Sequence, residues 1–450
     1  MGSEWRELPF TEAVQVNPKV SLKRGQVYPF VDMKAVDPSW RNASESEYRV
    51  FKNGGARFMP YDTLMARITP CLENGKIARY IPRINGSGPA FGSTEFIVIR
   101  GREGVTNNDF AYYLTKWQEF RQFAIAQMTG SSGRQRVPAD SLAGFSVPVP
   151  ELDEQHAIAH ILGSLDDKIE LNRQMNRTLE KMAQAIFKSW FIDFDPVRAK
   201  AEGRDPGLPK EIADLFPASF EDSKLGPIPK GWRVKPFGDL LERTIGGDWG
   251  KEHEDKKHTR KCVIIRGTDI PALKAGMRGK TPTRWVEEKK LKTRQLVDAD
   301  IVIEISGGSP KQPTGRSLFI TDRLLTRLGN IVEPASFCRL FRPKNSILGL
   351  LAAQHLTHIY GKGKMWEYQN QSTGISNFQT KTFLEKELIT IPDNERLLEA
   401  FYVQCRPLID ASYSNESCYL AKLRDTLLPK LISGELHVPD AEKFIEETGV

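Results

Sequence analysis

The chain repeats itself, and this constrains its fold more than any other feature. Trp5-Arg6-Glu7-Leu8-Pro9-Phe10 returns as Trp232-Arg233-Val234-Lys235-Pro236-Phe237, with Trp, Arg, Pro and Phe in the same places. Tyr61-Asp62-Thr63-Leu64-Met65-Ala66 is answered by Ala299-Asp300-Ile301-Val302-Ile303-Glu304, each an aspartate leading into a strand-like run. Asn74-Gly75-Lys76 is answered by Thr314-Gly315-Arg316, and Thr129-Gly130-Ser131-Ser132 by Thr373-Gly374-Ile375-Ser376. Four matches in one order, their separation growing slowly as loop insertions would make it, mean two copies of one unit. A chain of 450 residues also exceeds what one ordinary core supports.

Each copy divides alike. Residues 1–150 and 231–392 mix short β-like runs, such as Phe96-Ile97-Val98-Ile99, with many Gly, Pro and Asn turns. A helical patch from Asn108 to Met128 precedes the first Thr-Gly-Ser-Ser loop. Long helices are expected over 151–193 and 393–433, and a C-terminal tail over 434–450. Between the copies, residues 194–230 carry six prolines, which forbid a continuous helix, so a surface linker with one short helix around 210–215 is expected.

The first long helix has a ladder alternating four and three apart: Ile158, Leu162, Leu165, Ile169, Asn172, Asn176, Leu179, Ala183, Ile186 and Trp190. That is a heptad seam, and buried asparagines in such a seam fix register at some cost in stability. The second carries Phe401, Cys405, Leu408, Ser412, Asn415 and Tyr419, then Leu420, Leu423, Leu427 and Leu431; Pro407 predicts a kink or a late start. The natural partner of one helix is its duplicate, packed antiparallel about a pseudo-twofold axis. About 40 helical residues would span roughly 60 Å. Heptads by themselves signify only packing.

Charge points to a polyanion. Net charge is +7, and Lys251 to Arg294 alone holds 14 Lys/Arg against 6 Asp/Glu. No apolar stretch reaches membrane-spanning length and no basic-then-apolar leader opens the chain. The five cysteines are scattered without a CxxC pair, as in a reducing cytoplasm, where we expect the protein to work.

Signals for chemistry fail one by one. Gly308 to Ser317 imitates a phosphate-binding loop, but has six residues between its glycines and Arg316 where lysine belongs. His156 and His160 stand four apart, yet no glutamate follows His156, so the zinc-protease signature is missing. Asp193-Phe194-Asp195-Pro196 lacks the second proline and the aromatic of an adenine-methyltransferase tetrapeptide. No catalytic residue and no metal site are expected.

Several strings together resemble the specificity subunits of Type I restriction–modification systems. They are Thr129 to Val137 (TGSSGRQRV) with Pro148-Val149-Pro150 and Glu154-Gln155, then Trp249-Gly250-Lys251-Glu252 with Arg266-Gly267-Thr268-Asp269-Ile270. The ending, Leu427 to Leu436, also belongs to the likeness, which covers nearly the whole chain. The resemblance implies an α+β fold: two target recognition domains of mixed β-sheet with small helices, joined by two long antiparallel helices as a coiled coil with a pseudo-twofold repeat. It implies a non-catalytic reader of an asymmetric, bipartite double-stranded DNA target. Two methyltransferase subunits and the restriction–translocase subunits would dock on it, and S-adenosylmethionine, ATP and magnesium would sit on those partners rather than on this chain. The second copy departs from the pattern, with Ile375 and Asn377-Phe378-Gln379 where the first has serine and Gly-Arg-Gln. The two halves are therefore expected to read different sequences.

The residues expected at DNA follow from side-chain chemistry. Arginine offers a bidentate fork to guanine and glutamine one to adenine, so Arg134, Gln135 and Arg136 beside Ser131 and Ser132 form the first reading group. Gln371, Ser376, Asn377 and Gln379 form the second. Lys76 and Arg316 follow glycine turns and suit phosphates, Lys311 and Gln312 lie on a Gly/Pro loop, and Lys251, Lys256, Lys257, Arg260 and Lys261 are the densest cationic run. Helix–helix and subunit docking falls to Ile158, Leu162, Leu165, Ile169, Asn172, Asn176, Leu179, Ile186, Asn415, Leu420, Leu423 and Leu427. Each of these cations also reads as a solvated charge, and each loop as a structural turn. Two other functions remain open: a DNA-binding coiled-coil adaptor without sequence preference, and a DNA-modifying enzyme with unrecognised motifs.

Overall fold

Short, largely apolar runs become central strands here, because both faces are covered. Phe96–Gly101 and Thr63–Ala66 are of this kind, as is Ile301–Glu304, whose residues are all buried. The computed structural model describes residues 5–447 apart from 84, 85, 87, 132, 310, 311, 373, 374 and 415. It divides into two compact units, Met1–Glu170 with Tyr419–Val450, and Leu171–Cys418. The architecture is the expected mixture of sheet and long helix.

Strand order repeats between the units. In the first, Phe96–Gly101 lies between Val14–Val16 and Thr63–Ala66, followed by Ile77–Tyr80 and then, in parallel, Asn42–Ala43. In the second, Cys338–Pro343 lies between Leu241–Gly246 and Ile301–Glu304, followed by Ser317–Phe319. A second sheet repeats too. Val27–Val31 pairs antiparallel with Glu47–Val50 and parallel with Ala90–Gly92. His258–Ile265 likewise pairs antiparallel with Thr283–Glu287 and parallel with Val332–Pro334. Finally Arg6–Pro9 pairs with Ser146–Val149, and Trp232–Pro236 with Leu388–Pro392, tying each copy's start to the strand that feeds its long helix.

The first long helix runs Leu152–Phe191. The single second helix expected over 393–433 is two, Glu395–Ser412 and Glu416–Ser433. Pro407 lies inside the former without ending it. The interruption falls instead in a Ser/Asn-rich stretch, where the Ser412 hydroxyl donates to Ile409 O (2.8 Å) and Ser414 N turns back to Ala411 O (3.1 Å). Such local bonds compete with helix propagation.

Both units pack these helices antiparallel. In the first, Arg424 donates to Asp166 (2.5 Å) while His437 lies 3.9 Å from Glu154. In the second, Phe401 meets Phe191 (4.9 Å between ring centres) while Cys405 Sγ lies 4.0 Å from Ala183 O. Ile158, Leu162, Leu165, Ile169, Asn172, Asn176, Leu420, Leu423 and Leu427 are all buried. Leu179 and Ile186 are only half-buried, because Ala183, Phe187 and Trp190 face inward at that end to join the second unit's core. Asn415 lies outside the described residues.

The linker region is more structured than expected: helices Asp195–Ala201 and Lys210–Ala213 precede a hairpin, Phe220–Ser223 with Gly226–Pro229. Pro196 fits because the first turn of a helix needs no donor there.

A buried carboxylate fastens the second unit. Burial opposes ionisation of Glu387, but His355 Nε2 at 2.8 Å, Lys364 at 2.7 Å and the Tyr368 hydroxyl at 2.7 Å outweigh it and hold the group down to about 2. A depressed carboxylate stabilises the fold above its ordinary pKa of 4.5, and that contribution is lost as pH falls towards about 2. Urea unfolding followed between pH 6 and pH 3 is expected to lose on the order of 2–3 kcal/mol through this group. Glu387→Gln starts from lower stability and is expected to vary less over that window; an identical pH profile for both proteins would remove Glu387 as the cause.

Candidate nucleic-acid interface

The candidate surface begins with one device built twice. Asp62 and Asp300 each follow a residue held in the left-handed region, Tyr61 (φ 71°) and Ala299 (φ 67°). Each aspartate is fully buried and takes an arginine fork from the neighbouring central strand. Arg100 Nε and Nη2 donate to Asp62 at 2.7 Å each, and Arg342 donates to Asp300 at 2.9 and 2.7 Å. A backbone donor completes each pair, Met59 N at 2.7 Å and Val297 N at 2.8 Å. The repeated aspartate thus pins the turn that feeds a central strand, and the residue after that strand, Arg67 or Ile305, accepts a backbone bond from the candidate loop.

Those loops leave the sheets at matching places. In the first unit, Thr129 and Arg136 exchange backbone bonds (3.0 and 2.9 Å), and Val137 N donates to Arg67 O (2.9 Å). In the second, Ile375–Phe378 pairs with Gln369–Ser372 and Ser306–Gly307, and Phe378 N donates to Ile305 O (2.8 Å). Gly130 (φ 122°) and Gly133 (φ 79°) bend the first loop through angles that side-chain-bearing residues avoid.

Side chains on these loops differ in availability. Arg134 and Ser131 are exposed and Gln135 half-buried. Arg136 is clamped by Glu95, with Nε at 2.9 Å and Nη2 at 2.7 Å. In the second unit Asn377 is exposed, Ser376 is buried, and Gln379 donates to Asn370 (2.5 Å). Gln371 lies opposite Ser376 on its strand. Gln312 is half-buried, its amide 3.4 Å from the Tyr360 hydroxyl. Ser132 and Lys311 lie outside the described residues. Two expected phosphate contacts have internal employment. Lys76 Nζ donates to Met33 O (2.8 Å) and Val36 O (2.9 Å), and Arg316 forks onto Glu304 (2.8 and 2.6 Å).

The dense cationic run is organised on the ribbon of His258–Ile265 with Thr283–Glu287. Lys251 and Trp285 exchange backbone bonds at its edge (2.8 and 2.9 Å). Two of its exposed acids are paired with neighbouring donors. Asp255 accepts from Lys257 N, His258 N and the His258 ring, all at 2.8 Å, which holds it at about 2. Glu252 accepts from Arg284 at 2.7 Å. Lys251, Lys256, Lys257, Arg260 and Lys261 remain exposed. Lys261 stands 5.2 Å from the Trp285 ring centre and Arg284 4.8 Å from that of Trp249, giving cations laid over aromatic faces.

The equivalent ribbon in the first unit carries the same chemistry, unmarked by charge density. Arg49 lies 3.9 Å from the Phe30 ring centre and Arg57 5.0 Å from that of Phe51, while Tyr48 is 54% exposed. Beside it opens a groove of about 520 Å³ lined by Lys19, Ser21, Arg57, Arg67 and Thr94 among others, with three cations and no carboxylate. Arg67 accepts the backbone bond from Val137 at the foot of the first loop, and its Nε has no hydrogen-bond partner among the described residues. Sequence reasoning passed over Lys19, Arg49, Arg57 and Arg67. The available signal was a lone cation inside an apolar strand-like run, as in Ala56-Arg57-Phe58 and Ala66-Arg67-Ile68.

No cluster of metal-binding side chains occurs among the described residues, and no helix there is long and apolar enough to cross a membrane. Residues 62–181 match the family model of the Type I restriction modification DNA specificity domain. The chain is 26% identical to the Type I restriction enzyme HindI specificity subunit of Haemophilus influenzae, over 76% of this chain and 81% of that one. It is 26% identical to the MjaIX specificity subunit of Methanocaldococcus jannaschii, over 75% and 71% respectively. Among solved structures, the Type I restriction–modification S subunit from M. genitalium aligns over 95% of this chain and 96% of that one, at 14% identity and a TM-score of 0.46.

Proposed function

We infer that this member of the Type I restriction–modification specificity-subunit family reads an asymmetric, bipartite double-stranded DNA target, one half-sequence with each β-rich lobe. One observation carries the reading: two units of the same strand order present, at matching positions, a cation–aromatic ribbon and a hairpin loop of unlike composition. Phosphates are held by exposed ribbon cations, among them Lys251, Lys256, Lys257, Arg260 and Lys261. Base edges are read by Arg134 and Gln135 in one lobe and by Asn377, Gln379 and Gln371 in the other, with Arg57 and Arg67 in the adjoining groove.

The antiparallel helices set the distance between half-sites, as a pseudo-twofold coiled coil would. Two methyltransferase subunits and the restriction–translocase subunits dock on this chain in the cytoplasm and carry the S-adenosylmethionine, ATP and magnesium chemistry; this chain performs none. The seam residues are spent on packing within the chain, so docking falls to outward positions. Leu171, Met175 and Met182 are 63%, 48% and 48% exposed along one face of the helix.

The test is to purify the chain with its methyltransferase subunits, methylate random-sequence duplexes, and map the modified adenines. A split motif with two unlike halves is expected. Equal affinity for every duplex would support a non-specific adaptor instead, and methylation or cleavage by the chain alone would make it an enzyme.

A further inference from the structure

The first unit holds a second cationic cavity, separate from the groove and unused by the DNA reading above. It measures about 350 Å³ and is bounded by the helix Asn108–Lys116, the turn at Asn74–Gly75 and the helix Glu416–Ser433. Three cations face it: Lys116, Arg121 and Arg424. Two carboxylates face it as well, but both are committed to one of those cations. Arg424 Nη1 donates to Asp166 at 2.5 Å, and Arg424 Nη2 donates to Asp425 at 2.7 Å. The Tyr113 hydroxyl also donates to Asp166, at 2.8 Å.

Lys116 and Arg121 are left over. No ion pair joins either to an acid among the described residues. Arg121 reaches only Glu73 O, at 3.5 Å, and its buried Nε has no hydrogen-bond partner among the described residues. The side-chain amides of Asn74 and Gln118 complete the rim. Burial, with Arg424 adding repulsion, pushes the Lys116 ammonium down to about 8, and burial lowers Arg121 as well. Three cations against two carboxylates leave the lining with one positive charge in excess, which is costly in a partly enclosed cavity unless something neutralises it.

We propose that this cavity binds one compact oxyanion, a phosphate group, between Lys116 and Arg121. A single anionic charge offsets that excess, and arginine with lysine supplies the charge-assisted donors that several phosphate oxygens take together. The phosphate comes either from solution or from a DNA backbone, and one experiment separates the two.

Thermal unfolding of the full chain is measured with increasing inorganic phosphate, against sodium chloride at matched ionic strength. A saturable, phosphate-specific rise is expected. Lys116→Met with Arg121→Met is expected to weaken apparent phosphate affinity by about tenfold or more, while Lys116→Arg keeps it. A short duplex that displaces the phosphate, read by ³¹P NMR on the unaltered protein, identifies a backbone source; a duplex that leaves it bound identifies a free one. Failure of the DNA reading would change only that last result. No phosphate-specific stabilisation of the unaltered protein, or an equal response in the doubly substituted one, overturns the proposal.

Discussion

Replacing Asp300 with alanine is expected to lower the stability of the second unit by about 3–5 kcal/mol, the usual cost of removing one partner from a buried ion pair. The aspartate is fully buried and receives two guanidinium bonds and one backbone bond. Truncation leaves the Arg342 guanidinium, itself only 18% exposed, facing a void that once held its counter-charge. It also frees Val297 N at the turn where Ala299 adopts φ 67°, so the strained backbone loses the bond that holds it. Asp300→Asn keeps an acceptor of the same shape and is expected to lose less. Chemical denaturation reads both. An alanine variant within 1 kcal/mol of the unaltered protein would mean that the pair merely balances its own desolvation. The corresponding change at Asp62 is expected to act alike on the first unit, since Arg100 grips it with the same fork.

Arg57→Ala combined with Arg67→Ala is expected to weaken binding to the bipartite target by two or more orders of magnitude, at about 1–3 kcal/mol per lost base contact. Neither arginine has an acidic partner among the described residues, and both line a groove without a carboxylate. Their removal is therefore expected to spare the fold, which circular dichroism checks. Discrimination is the sharper readout. Sequence preference is expected to disappear in one half-site and persist in the other, because the second lobe keeps its own loop. Loss of affinity spread evenly over all sequences, with both half-site preferences intact, would reassign the two arginines to phosphate contact. The assay is competition binding, with the methyltransferase subunits present, at several salt concentrations.

Repetition was readable because it is written in local chemistry. The paired aspartates at 62 and 300 recur since each strand entry needs the same buried acceptor, and the strand orders around them match. The long helix Leu152–Phe191 was legible from its apolar spacing, since periodicity is a property of one segment. Its far end was less so. Phe187 displaces Ile186 from the interior because the core it enters is built by residues as distant as Phe401. Pro407 misled for a related reason: it signals a break, yet the helix ends where Ser412 and Ser414 take up local bonds.

Charge density found the ribbon carrying Lys251 to Lys261, where cations crowd together in sequence. It overlooked Arg57 and Arg67, which come together only when separate strands close on one groove. It also overvalued Lys76 and Arg316, since composition does not reveal that Met33 O, Val36 O and Glu304 wait in space to receive them. From the order of residues alone came the duplication, the first long helix and a charge excess that points to a polyanionic partner, all of them local or additive properties. Which cations stay free for that partner was decided by the folded chain, because a charge is available only where no neighbour brought from afar has already neutralised it.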